Sequence, residues 1–181
     1  MYVSPRFFRL MLAVCLGVLF LSACGGSKEV AVREDPRSAM DKQMDTQALE
    51  LTENLTDADV VRTPNGISVT FYQAVLFAFD SAELSEAALK NLQFFAESMN
   101  RYTGTSVLVI GHTDAVGATD YNQALSERRA ESVASFIKQQ NVASERVQMM
   151  GMGESDPIAS NDTEEGRRRN RRVVLIIAAS T

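Results

Sequence analysis

Residues 67–72, Ile-Ser-Val-Thr-Phe-Tyr, alternate apolar and polar positions with a period of two, the pattern of a half-buried strand. Asn65-Gly66 just before them is a turn signal. Residues 75–79 are also apolar and read as an extension of that strand or as a second short one. The period then changes. Ala88, Leu89, Leu92, Phe95, Ala96 and Met99 recur at three- and four-residue spacing, which predicts a helix, and Ser85 stands where its N-cap belongs. Val107-Leu108-Val109-Ile110 is a continuous apolar run, expected of a strand buried on both faces. A second helix is expected over about residues 120–140, with Leu125, Ala130, Val133, Ala134 and Ile137 inward. Residues 147–150 read as a short strand. Gly151, Gly153 and Asp156-Pro157 interrupt the chain, and the β-branched run 173–178 reads as a final strand. Strands alternating with helices predict an α/β fold, a two-layer α/β sandwich with a mixed sheet. The long helical crossovers suit parallel neighbours.

The N-terminal end follows different rules. Arg6 and Arg9 precede an apolar stretch, residues 10–23, that is short for a membrane span. It ends in Leu21-Ser22-Ala23-Cys24, small residues before a cysteine, which resembles the lipobox of bacterial lipoproteins. That resemblance implies a signal peptide over 1–23, cleavage before Cys24 and acylation of Cys24, palmitate included. The other reading is an ordinary signal peptide with a free Cys24. Cys15 would be discarded with the leader, leaving no disulfide in the exported chain. Residues 24–57 have linker composition: Gly-Gly-Ser near the start, one proline, no aromatics and many charges. Within them Met40, Met44, Ala48, Leu51 and Leu55 fall at helical spacing. A short helix lying on the domain or self-associating is one reading. A solvated tether is the other, favoured by the excess of acids and the lack of an aromatic anchor. The domain proper is then residues 58–181.

The 181-residue chain carries a formal charge of −5, and loss of Arg6 and Arg9 takes it to about −7. An acidic chain is a poor match for nucleic acid, whose phosphates demand a basic surface. The one basic cluster, Arg167 to Arg172, reads as a solvated helix face leading into the last strand, able to put one arginine at a cleft. No Ser-His-Asp or Cys-His arrangement, nucleophile elbow or phosphate-binding glycine loop is visible, so no enzyme is expected. His112 is the only histidine, too few ligands for a zinc site, and reads as a core or hydrogen-bonded residue. No metal and no cofactor is expected.

The candidate chemistry lies in Gly111 to Val133, where Asp114 follows the apolar strand and Arg129 sits on the next helix. Ligands in sheets of this kind gather beyond the carboxyl ends of strands. Asn122, Leu125 and Arg129 share one helical face, whereas Arg128, rotated by about 100°, points to water. A carboxylate and a guanidinium so placed suit a small zwitterion. Equally, Asp114 caps its own loop and Arg129 forms a structural ion pair.

Several ordered motifs resemble the OmpA-like peptidoglycan-binding domain: Phe77-Ala78-Phe79-Asp80-Ser81, Gly111-His112-Thr113-Asp114 with Gly117, and Asn122 with Leu125-Ser126-Glu127-Arg128-Arg129-Ala130. Gly151-Met152-Gly153-Glu154, Pro157-Ile158-Ala159-Ser160-Asn161, Glu165-Gly166-Arg167 and Asn170-Arg171-Arg172-Val173 continue the series to about residue 178. Together with the lipobox they are similar to the peptidoglycan-associated lipoproteins. The resemblance implies an α/β sandwich that holds the diaminopimelate of the peptide stem without a covalent bond. It carries ligand roles onto Asp114 and Arg129, and onto Asp80, Thr113, Asn122, Leu125 and Arg172. No β-barrel precedes the domain, which implies a tether and not a porin. Gly25, in place of an aspartate after the lipidated cysteine, implies the outer membrane, with the domain facing the periplasm.

The expectation is therefore an outer-membrane lipoprotein that fastens the membrane to peptidoglycan. The alternative is a wall-docking subunit of a trans-envelope secretion or motor machine, with the 40–55 stripe as the surface for an envelope protein partner. A wall hydrolase is a third reading, opposed by the lack of a nucleophile or metal set.

Overall fold

The computed structural model describes residues 36–77 and 81–180. The signal peptide and Cys24 readings lie outside them. The elements in order are α1 (Pro36–Asn54), β1 (Ala58–Thr63), β2 (Gly66–Tyr72), α2 (Gln73–Leu76), α3 (Glu86–Arg101), β3 (Thr105–Gly111), α4 (Thr119–Gln139), β4 (Val147–Gly151), α5 (Glu164–Asn170) and β5 (Arg172–Ala179). No helix among the described residues is long and apolar enough to cross a membrane.

The sheet runs β1-β2-β5-β3-β4. β3 and β4 pair in parallel across the α4 crossover, and the other pairs are antiparallel. β5 thus separates β2 from β3, which run in the same direction. Register places Ile67, Ile177 and Val107 in one row, and Val69, Leu175 and Val109 in the next. All six are buried, whereas their chain neighbours Ser68, Leu108, Ile110, Val174 and Ile176 are only half-buried. The expectation that residues 107–110 are buried on both faces is corrected here. The long helices cover one face only, so a continuous apolar run still alternates in burial.

Against the covered face α3 sets Ala88, Leu92, Phe95, Ala96 and Met99, and α4 sets Ala130, Val133, Ala134 and Ile137. Leu89, counted in the α3 stripe, lies at its margin and is exposed. Ser85 caps α3 as expected, its Oγ accepting from the Ala88 N–H at 3.0 Å. Residues 75–77 do not extend β2, and the rest of that reading, residues 78 and 79, lies outside the described residues. The Gln73 N–H donates to the Arg171 carbonyl, the chain makes the single turn of α2, and Leu76 drops into the core. Phe77 then forms an isolated bridge to Leu84. β1, unforeseen because charged residues interrupt its apolar positions, pairs with β2 as an edge strand.

The largest departure concerns residues 36–54. They form a helix, and Met44, Ala48, Leu51 and Leu55 are buried in the same core as the sheet. Of the two readings of this segment the covered helix holds, and its cover is the domain's own surface. Arg62 ties the exposed side to Asp45 at 2.8 Å and Asp41 at 3.1 Å, and Arg101 pairs with Glu50. Beyond the helix, Asn91 clasps the Thr56 backbone, accepting from its N–H at 3.0 Å and donating to its carbonyl at 3.1 Å. The packed domain therefore begins near residue 36 and not at 58. A helix with so many charges and no aromatic residue still packs because four apolar side chains one turn apart suffice to seal a core.

Leu51 is fully buried, so Leu51→Ala should lower unfolding stability by about 2–5 kcal/mol. Urea denaturation checks this. An unchanged midpoint would mean that α1 does not contribute to the folded core.

Candidate functional site

β2 and β3 end on the same side, with the start of β5 between them. His112 N–H donates to the Arg172 carbonyl on one flank, and Gln73 N–H to the Arg171 carbonyl on the other. Beyond these ends lies a cavity of about 1110 Å³ bounded by the β3–α4 loop, α4, α5 and the start of α2.

The β3–α4 loop is tightly specified. Gly111 packs under α4, where a Cβ would meet the Ser126 carbonyl oxygen at 2.1 Å, so only glycine permits the approach. Gly117, at φ 103°, turns the chain into the helix. Thr113 N–H donates to the Gly153 carbonyl at 2.8 Å, and Ala115 N–H to Asn161 Oδ1 at 3.2 Å. Asn170, fully buried, braces the opposite loop. Its Oδ1 accepts from the Ile158 and Ala159 N–H groups, and its Nδ2 donates to Asn161 Oδ1.

Asp114 is buried at the floor of the cavity. Its Oδ1 accepts from the Val116 N–H at 3.1 Å, and its Oδ2 pairs with Arg171 Nη1 at 2.5 Å. It therefore does cap its own loop, and it also presents a carboxylate to the cavity. Asn122 lines the wall while donating to the Asp114 carbonyl at 3.3 Å and Glu154 Oε2 at 2.6 Å, so it orders the loop. Thr113 and Leu125 line the cavity as well. Thr113 Oγ1 is buried with no hydrogen-bond partner among the described residues. Arg129, only 3% exposed, lies over the Phe77 ring at 5.5 Å and donates from Nε to the Ser81 carbonyl at 3.3 Å. Arg128 is exposed, as the helical phase requires.

Five of the sequence-derived residues thus meet at one cavity: Asp114, Arg129, Thr113, Asn122 and Leu125. Asp80 lies outside the described residues. Arg172 does not join them. It faces the other side of the sheet, beside His112, and pairs with Asp156 at 3.1 Å. Neighbours on a strand point to opposite faces, and Val173 is committed to the core, so Arg172 must face away from it. The arginine of the 167–172 run that reaches Asp114 is Arg171, which also pairs with Glu164 at 2.8 Å. Only the run of six residues signalled it, without saying which member would turn inward. Tyr72, Gln73 and Tyr121, also in the lining, carried no sequence signal.

Burial opposes the charge of Arg171, but its bonds to Glu164 and Asp114 outweigh this and hold its pKa above the usual value. The same arrangement, with Arg167 added, keeps the Glu164 carboxyl below its ordinary range. On the far face His112 is buried, with Nδ1 unpartnered among the described residues. Burial first, and then the adjacent Arg172 charge, lower its pKa to about 4.

A family model described as the OmpA family matches residues 76–171, from the last residue of α2 into the α5–β5 junction. The chain belongs to the OmpA family. The match nearly coincides with the quoted motifs, which run from Phe77 to Val173, and it contains every residue of the cavity floor and α4 wall. Among OmpA-family relatives, "Probable lipoprotein YiaD" of Escherichia coli (strain K12) is 38% identical over 137 residues, 75% of this chain and 63% of that one. "Peptidoglycan-associated lipoprotein" of Legionella pneumophila is 33% identical over 108 residues, 60% of this chain and 61% of that one. The chain thus spans somewhat less than two thirds of the length of these curated relatives. A solved structure described as the cell wall anchor of the T6SS from Pseudomonas aeruginosa superposes with a TM-score of 0.66 at 29% identity. It covers 74% of this chain and 97% of that one.

The His112 environment makes a pH prediction. Its folded pKa, about 4, lies below the unfolded value of 6.5, so between these the unfolded chain binds more protons. Stability contributed by neutral His112 is complete above pH 6.5 and falls as the pH drops toward 4, by up to about 3 kcal/mol. Denaturation at pH 7 and pH 4.5 should show a smaller acid loss in His112→Gln than in the wild type. Parallel losses would mean that His112 ionises as freely in the fold as out of it.

Proposed function

We propose that this protein is a lipid-anchored binding module, not an enzyme, that holds the diaminopimelate-bearing peptide stem of peptidoglycan and so ties the outer membrane to the cell wall. The observation that carries the reading is one cavity lined by both Asp114 and Arg129. A zwitterionic amino-acid terminus needs an anion for its ammonium and a planar cation for its carboxylate. Asp114 keeps acceptor capacity beside Arg171, since two carboxylate oxygens offer about four lone-pair sites. Thr113 Oγ1 is a further polar group at the same wall. Membership of the OmpA family and the lipoprotein names of two relatives support the reading. Cys24 supplies the anchor, and Gly25 after it favours the outer membrane with the domain in the periplasm.

The likeness to a secretion-system wall anchor supports a second reading, a wall-docking subunit of a trans-envelope machine. The 40–55 stripe no longer serves as its partner surface, because that stripe is buried in the domain's own core. Crosslinking in intact cells separates the two: recovery of the components of one fixed assembly favours the machine.

Titration of the purified protein with a soluble diaminopimelate stem peptide tests the site. Arg129→Ala should weaken binding by about 2–5 kcal/mol, provided that circular dichroism shows an intact fold. Asp114→Asn should weaken it sharply as well. Wild-type affinity in either folded variant would refute the assignment. For the anchor, Cys24→Ser should leave peptide binding intact and release the protein from membranes, since serine forgoes roughly 0.8 kcal/mol per buried acyl methylene. Continued fractionation with the outer membrane in high salt would argue for another attachment.

A further inference from the structure

The cavity is larger than a single amino-acid terminus requires, and its charge is not balanced. Among the described residues five arginines line it, Arg129, Arg167, Arg168, Arg169 and Arg171, against the carboxylates of Asp114, Glu164 and Glu165. Counting Asp80 with the acids would still leave the arginines in excess. A zwitterion is neutral and calls for no surplus of cations. In a chain of net charge −5, a locally positive cavity is a feature of the site and not of the composition.

Arg129 is held over Phe77 and on the Ser81 carbonyl, and the rest of the surplus falls at one end of the cavity. Arg167 pairs with Glu164, Arg168 with Glu165, and Arg171 with both Asp114 and Glu164. Arg169 belongs to none of these ion pairs and hydrogen-bonds the Tyr72 hydroxyl instead. It lines the cavity with Tyr72, Gln73 and Ala74, at the end of β2. The Tyr72 phenol donates to Asp59 at 2.8 Å, and this bond, before burial, raises its pKa, with Arg169 pulling the other way. Gln73 Oε1, in the same wall, is buried with no hydrogen-bond partner among the described residues. A carboxamide oxygen accepts an N–H. Asp114 and Thr113 stand at the end of β3. Because β5 lies between β2 and β3, the two stations are two strand spacings apart, about 10 Å. That is the reach of about three extended residues.

We infer that the end of the cavity formed by Tyr72, Gln73 and Arg169 is a second subsite, which takes a further carboxylate of the same peptide ligand on Arg169 and an amide N–H on Gln73 Oε1. The inference rests on the reading of Asp114 and Arg129 as the zwitterion station. It makes Arg169 a specificity-determining residue: a stem whose neighbouring acid is free binds better than one in which that acid is a carboxamide. Arg169 is exposed on α5, so replacing it leaves the core untouched.

Two synthetic stem peptides test this, both containing diaminopimelate and a neighbouring acidic residue, one with that residue's carboxyl free and one with it capped as the carboxamide. Calorimetry on the purified protein should show the free acid bound about five- to tenfold more tightly, the gain expected of one partly exposed charge-assisted contact. Arg169→Gln should remove the difference by weakening the free acid alone. Equal affinity of the wild type for both peptides, or a preference that persists in Arg169→Gln, would overturn the subsite and leave the zwitterion station standing. Asp114→Asn should weaken both peptides by the same factor. If it weakens neither, the zwitterion reading falls and this inference with it.

Discussion

The position of β5 in the sheet is the constraint on which the rest depends. Leu175, fully buried between Val69 and Val109, locks the register of three strands at once. A slip of one residue would carry Val173, Leu175 and Ile177 out of the core and bring Arg172 into it. With register held, β2 and β3 must end side by side, two strand spacings apart, with the α5–β5 junction between them. The cavity is the gap that this insertion leaves. The same alternation sends Arg172 to the far face beside His112 and leaves Arg171, before the strand begins, to turn toward Asp114.

Polar preorganisation follows from that frame. Asp114 is held by the Val116 N–H and by Arg171, so under the proposed function little ordering would remain to be done on binding. Arg171 is held in turn by Glu164, and Glu164 by Arg167, a chain of charge that stops at the Asn161 carbonyl. Arg129 takes a different course, its stem buried and its guanidinium set over Phe77. The structural and the ligand-binding readings of Asp114 are therefore compatible. A carboxylate fixed by its own loop is a better receptor for an ammonium than one free to rotate.

Legibility in the sequence followed the kind of signal. The α3 and α4 stripes, the Ser85 cap and the strands at 67–72 and 173–178 were readable, because burial on one face imposes a period that survives in the chain. Local order within Gly111 to Arg129 was readable for the same reason, since loop and helix carry their own spacing. β1 was not, because an edge strand needs little apolar alternation. α2 was not, because Leu76 and Phe77 fit a strand as well as a turn of helix until the ladder hydrogen bonds are counted. The 36–54 helix had a visible stripe but a composition that argued for solvent.

What the sequence determined by itself was therefore the class of fold, set by short-range periodicity, the family, through the ordered motifs that resemble it, and the local placing of Asp114 and Arg129, which line one cavity. What only the tertiary structure decided was whether the 40–55 stripe had something to cover it, which arginine of the 167–172 run paired with Asp114, and which distant residues joined Asp114 at the cavity. The physical reason is one of range. Local pattern sets which way a side chain points from its own element, whereas the identity of the surface opposite depends on sheet order, which no stretch of the chain encodes alone. Tyr72 and Arg169 are nearly 100 residues apart and belong to one wall because β5 was inserted beside β2.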